Sequence, residues 1–205
     1  FFSVVDVLPT NNDDPVDFLA PGVLALAVMS TAMVGLGIAT GFERQYLVLK
    51  RLGTTPLGRP ALLAAKTIAV VVVELIQVTV LVPVALALGW RPDGDVATAL
   101  LAVVVGTIAF AGLGLLMAGT LRAEVTLAAA NGLYLVLLLL GGMVVPLAEL
   151  PSALRTVART LPAAALSDVL HAALGATAVP GRAWAVLVFW AVAAPTAAAA
   201  LFRWE

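Results

Sequence analysis

A single acid, Glu74, interrupts the apolar run from Ala69 to Val78, and Gln77 follows one turn on. On a helix the two share a face. An acid at mid-membrane depth costs about 2.5–3.5 kcal/mol on insertion scales, so such groups turn toward a bundle interior or a cavity. Glu74 therefore reads either as a polar, proton-sensitive point on a transport route or as a packing group bonded to Gln77, Thr79 or Asn131. A second constellation, Ser167, Asp168 and His171, has the residue types of nucleophile, acid and base. Catalysis needs all three in mutual reach. Asp168 and His171 stand i, i+3, but Ser167 is expected to point elsewhere on a helix, so the pair reads as a surface ion pair or as solvated groups. No catalytic residue is assigned. The chain has no cysteine and one histidine, which excludes disulfides, thiol nucleophiles and thiolate or multi-histidine metal sites.

The third chemistry is basic and amphipathic. In the connection after Thr40, Phe42, Tyr46, Leu49 and Leu52 recur at i, i+4, i+7 and i+10 and form one apolar stripe on a helix. The opposite face carries Glu43, Arg44, Lys50 and Arg51, with Leu47 and Val48 set among them. An apolar pair among charges on a wetted face is a candidate docking surface for a soluble partner. The same cations would also suit anionic lipid head groups. Gly53-Thr54-Thr55-Pro56 should stop the helix, because proline lacks the amide hydrogen.

These groups need elements to hold them. At 62% hydrophobic and 11% charged residues, with mean hydropathy +1.11, the chain is an all-α polytopic membrane protein rather than a soluble domain. Its net charge of −1 is sorted by loop, and no nucleic-acid partner is expected. Five runs are long enough to cross a bilayer as helices: Leu19–Thr40, Ala61–Leu88, Val96–Ala118, Val125–Val145 and Ala183–Phe202. Residues 1–18 carry Asp6, Asp13, Asp14 and Asp17 with no Lys or Arg, and read as an outer loop. Residues 42–60, a coupling helix and loop, belong inside with Arg44, Lys50, Arg51 and Arg59. Gly89–Asp95 then falls outside, Thr120–Glu124 inside, 146–182 outside, and Arg203 inside. Five spans with an outer amino end lead us to expect one preceding span.

The fourth span loosens at Gly141-Gly142, because each glycine loses roughly 1 kcal/mol of helix propensity relative to alanine. Pro146, Leu150-Pro151 and Leu161-Pro162 follow, and the stretch 146–182 is expected to hold short re-entrant or interfacial helices. Gly141, Gly142 and Pro146 read either as tight packing or as an outer gate.

Two landmarks, in this order, resemble the type-2 ABC exporter permeases, especially the daunorubicin-resistance permeases. The first is Glu43-Arg44, Leu47, Leu49-Lys50-Arg51-Leu52, Thr55-Pro56-Leu57 and Ala65-Lys66. The second is Gly141-Gly142, Pro146, Leu150-Pro151, Leu154, Leu161-Pro162 and Ser167-Asp168-Val169-Leu170-His171. Gln45 departs from the glycine of many relatives, and His171 from a common arginine. The resemblance implies a helix bundle of the type-2 exporter kind, with a cytoplasmic coupling helix at the first landmark. It also implies a second permease subunit, as homodimer or related heterodimer, and two copies of an ABC ATPase subunit. No G-x-x-x-x-G-K-[ST] loop occurs in the chain, so ATP and Mg²⁺ are expected on the partner ATPase. The expected setting is the bacterial cytoplasmic membrane.

The leading expectation is therefore a permease subunit of an ATP-driven exporter for a hydrophobic or amphipathic substrate such as a drug or lipid. The apolar inventory shows no strongly charged cavity. A proton-coupled secondary transporter using Glu74 is the alternative, although no clear internal repeat of the kind many carriers show is present.

Overall fold

The structure is a computed structural model that describes residues 15–47 and 58–202, with residues 15 and 58–64 as backbone alone. Residues 1–14, 48–57 and 203–205, and with them Asp13, Val48, Lys50, Arg51 and Arg203, lie outside the described residues. The helices are α1 (Pro15–Met29), α2 (Leu36–Gln45), α3 (Gly58–Ala87), α4 (Val96–Thr120), α5 (Ala123–Leu140), α6 (Ser152–Ala158), α7 (Pro162–Leu174) and α8 (Gly181–Leu201). A π-helical turn, Ser30–Gly35, joins α1 to α2 into one rod. Among the described residues, five segments are long and apolar enough to cross a membrane: Val16–Gln45, Ala65–Ala87, Val96–Thr120, Ala123–Leu140 and Gly181–Leu201. All five expected spans are present, shifted by a few residues at their ends.

α4 is the centre of the bundle, with α8, α2 and α7 against it. Small residues make this possible, because they let helix backbones approach. A Cβ at Gly112 would lie 2.5 Å from Pro195 N on α8, and one at Gly114 would lie 2.6 Å from Met33 O in the π turn. α3 packs on α1 and the π turn and turns Ile68, Val72, Leu75, Ile76 and Val80 outward. In a membrane protein such an apolar surface is ordinary lipid contact.

Between α5 and α8 the chain passes through exposed α6 and then enters the bundle as α7. Pro162 starts α7 at a position where its missing amide costs nothing. The alanines at 163–165 and Leu166 are buried, as are Val169, Leu170 and Leu174. At 13 residues α7 is too short to span. It is a buried wedge seated among α1, α4 and α8.

One expected element is corrected. The helix from Phe42 to Leu52 is not continuous: α2 ends at Gln45, Leu47 N–H donates to Arg44 O at 3.0 Å, and Leu47 turns to φ 59°. A left-handed residue is a common helix terminator, here supplied by leucine, so no glycine or asparagine announces it. Phe42 to Gln45 thus form the last turn of the first span.

Candidate functional site

At the end of α2 the charged residues hold the bundle together. The Arg44 guanidinium donates from one nitrogen to Gly119 O and from the other to Leu121 O, carbonyls that the end of α4 leaves without helical partners. Glu43 pairs with Lys66 of α3, and Gln45 Nε2 donates to Glu124 Oε1 of α5 at 2.7 Å. Glu43 and Arg44, expected on a docking face, are therefore engaged within the chain. What protrudes beyond this clamp is Tyr46, 65% exposed, and Leu47, 50% exposed. Tyr46, expected in the membrane-facing stripe, stacks on Phe42 at 6.1 Å and stands in the open beside Leu47.

In the middle of the bundle Glu74 is 7% exposed. Its partner is none of the three expected. Thr107 Oγ1 of α4 lies 2.9 and 2.8 Å from the two carboxyl oxygens. Gln77 turns instead to the π turn, where Thr31 Oγ1 donates to its Oε1 at 3.0 Å. Asn131 joins neither: it is exposed on α5 and donates to Leu127 O of its own helix at 2.8 Å. Thr79 likewise bonds within its helix, to Leu75 O. Glu74 and Gln77 are thus two polar fasteners of α3, and Thr107 and Thr31 are the partners that sequence reasoning missed. Threonine in an apolar run is too common to signal such a role.

The third region is the α7 end. Gly141 closes α5, and Gly142 takes φ +67°, a conformation that glycine adopts without the penalty of a side chain. The break is pressed against the first span, since a Cβ on Gly22 would meet Met143 O at 2.1 Å. It is tied to α7 by Ser167 Oγ, which donates to Gly142 O at 3.1 Å. His171 sits one turn beyond, with Nδ1 2.7 Å from Ser167 O and 3.2 Å from Ser167 Oγ, and Nε2 2.8 Å from Phe18 O of α1. Ser167 thus faces His171, contrary to the expectation that it points elsewhere; the i, i+4 spacing carried that signal. Pro146 lies at the edge of the same region, beside a cavity of about 560 Å³ that Asp17, Arg91, Asp93, Asp168 and His171 also line. Three carboxyls against one guanidinium give this end an acidic mouth that the apolar composition did not announce. Burial pushes the Asp168 carboxyl above its ordinary value, against the opposing pull of His171, Arg159 and Arg182. No nucleophile–base–acid relay is assembled, because Ser167 donates to a backbone carbonyl.

Clamp, fasteners and buried wedge lie along one chain order, and the model of the ABC-2 type transporter family matches residues 1–174, from before the first span through α7. The chain belongs to the ABC-2 type transporter family. No match was found among curated proteins or among solved structures. As an ABC-2 type transporter membrane domain, the chain is a multi-pass transport component of an ABC transporter that works with an ATPase partner. In this ABC-2 domain Glu43, Arg44, Leu47 and Lys66 of the first expected landmark fall at the clamp and its tip, its residues 49–57 lie outside the described residues, and Gly141-Gly142 and residues 162–171 of the second fall at the break and wedge.

Proposed function

We propose that this chain is the permease subunit of an ATP-driven exporter in the bacterial cytoplasmic membrane. It moves a hydrophobic or amphipathic substrate, such as a drug or lipid, across that membrane. Two copies of a separate ATPase subunit bind ATP and Mg²⁺ and drive it, and a second permease subunit completes the route. The α2 end faces the cytoplasm, in keeping with Arg44, Lys50, Arg51, Arg59 and Lys66 in one short connection, and the α7 end faces outside.

The observation that carries this reading is the tip of α2. Tyr46 and Leu47 protrude, while the residues just before them bind the α4–α5 turn through Arg44, α5 through Gln45 and α3 through Glu43. A partner that pushes the tip therefore pushes three further spans at once. Leu47 and Val48 receive the ATPase; Lys50 and Arg51 flank them in sequence; Glu43 and Arg44 pass the movement inward. Glu74 and Gln77 fasten α3 during that movement, and Gly141, Gly142 and Pro146 give way at the outer mouth. The proton-carrier alternative gains no support from Glu74, whose contacts with Thr107 are those of a packing group.

The test is the double substitution Leu47→Asp with Val48→Asp. Leu47 is exposed, so the isolated subunit should insert and keep its stability. In the complex the new carboxylates would be buried without partners, at a cost of several kcal/mol. The variant is expected to lose its co-purifying ATPase or that partner's stimulated hydrolysis. Association and hydrolysis equal to the parent would sink the coupling assignment.

A further inference from the structure

His171 is placed so that its proton count decides which elements are joined at the α7 end. Both ring nitrogens face backbone carbonyls, Nδ1 that of Ser167 at 2.7 Å and Nε2 that of Phe18 at 2.8 Å. A carbonyl oxygen only accepts, and a neutral imidazole has a single N–H to donate. The imidazolium, with two, satisfies both. The Ser167 hydroxyl then spends its one hydrogen on Gly142 O, and its oxygen can receive the longer branch of Nδ1–H at 3.2 Å. Every hydrogen has an acceptor, and α1, α7 and the glycine break are connected through the ring and the Ser167 hydroxyl.

Removing a proton breaks this in either of two ways. If Nε2–H remains, the Nδ1 lone pair opposes Ser167 O, and relief requires the Ser167 hydroxyl to turn to Nδ1 and abandon Gly142. If Nδ1–H remains, the Nε2 lone pair opposes Phe18 O and the tie to α1 is lost. We infer that His171 is a proton-operated latch on the mouth of the cavity: charged, it holds the first span and the Gly141-Gly142 break against α7, and neutral it releases one of them. Charged groups line the cavity beside the ring. Asp17 approaches from α1, Asp93 from the α3–α4 turn and Asp168 from α7, against Arg91 from that same turn; Arg159 and Arg182 act on Asp168 from the end of α6 and the start of α8. The Phe18 ring, 4.6 Å from the imidazole, adds a cation–π contact to the charged form. The inference rests on the permease reading only in taking this mouth as the outer one, and its test does not require transport, orientation or the ATPase.

His171 is the single histidine, so a chain carrying ring-¹⁵N histidine reports this ring alone by NMR. In the full chain in lipid nanodiscs, the protonation of both ring nitrogens is followed from about pH 5 to about pH 8, the range in which histidine ordinarily changes charge. The mouth is followed in parallel with Leu147→Cys in the cavity wall and Ser152→Cys on exposed α6, the latter correcting for thiolate fraction. The ratio of their labelling rates should rise about three- to tenfold as the ring is neutralised, the weight of one hydrogen bond. In a His171→Arg background, whose charge is permanent, the ratio should stay low at every pH. A ring already neutral at about pH 5 in folded protein would overturn the latch. So would a labelling ratio that ignores the ring's conversion, or a His171→Arg response matching the parent's.

Discussion

Thr107 Oγ1 of α4 stands 2.9 and 2.8 Å from the two carboxyl oxygens of Glu74 on α3, and the same hydroxyl lies 2.9 Å from Val103 O of its own helix. The hydroxyl has one hydrogen, so it closes both bonds together only when it donates to Val103 O and receives the proton of a neutral Glu74 carboxyl; in either form it fastens α3 to α4. Glu74→Gln keeps a group of the same shape that hydrogen-bonds Thr107, so folding should survive with transport at most partly reduced. Thr107→Val strips the partner from a buried acid and should lower stability by about 1–3 kcal/mol. Thermal unfolding in detergent separates the two; a Glu74→Gln variant that folds normally and transports nothing would return Glu74 to the transport route.

Arg44 serves two carbonyls on one turn, Gly119 O and Leu121 O. Its planar fork can do this and a lysine ammonium fits the geometry less well. Arg44→Ala is expected to cost about 1.5–3 kcal/mol, the range for bonds from charged groups, and Arg44→Lys to recover part of it. With the ATPase present, both variants should hydrolyse ATP with less transport per ATP than the parent. Unchanged transport per ATP in a folded Arg44→Ala variant would remove the clamp from the coupling path.

Two carboxyls at the α7 end should oppose each other in pH dependence. The Thr98 hydroxyl, and then the Ala97 amide, hold Asp95 below its ordinary value at the start of α4. Its contribution to stability is present above the unfolded value and is lost as pH falls through the folded one. Asp168 is pushed up by burial, so its contribution is present below the unfolded value and is lost as pH rises through the folded one. Asp95→Asn should therefore flatten the acid side of the stability profile, and Asp168→Asn should raise the thermal midpoint near neutral pH. Thermal scans across pH decide both.

The orientation is checked by single cysteines in this cysteine-free chain. An impermeant thiol reagent on intact cells should label Asp13→Cys and leave Arg51→Cys untouched. The reverse pattern would invert the protein and detach the tip of α2 from any cytoplasmic motor.

Much of the bundle was legible because its rules are local. Apolar runs of span length located the five spans to within a few residues, and Gly141-Gly142 with the prolines at 146, 151 and 162 placed short helices within 146–182. Partners across the bundle were not legible. Glu74 meets Thr107 rather than Gln77 because the helices bring α4, not a neighbour on α3, to that depth. The end of α2 was misread because Leu47 adopts a left-handed backbone that its side chain does not advertise. Even so, Glu43 and Lys66, on either side of one loop with opposite charge, offered a visible pairing.

The π turn at Ser30–Gly35 also has a geometrical consequence. An extra residue in one turn shifts the angular phase of everything beyond it by about 100°. Thr31, at the turn, addresses α3, and Arg44, past it, addresses the α4–α5 turn. A helix of uninterrupted pitch could not aim both residues as they are aimed here. Removing one residue from the turn would restore that pitch and swing Arg44 away from its carbonyls, with no contact residue altered. The first span thus works as a crank whose throw is set by a single inserted residue.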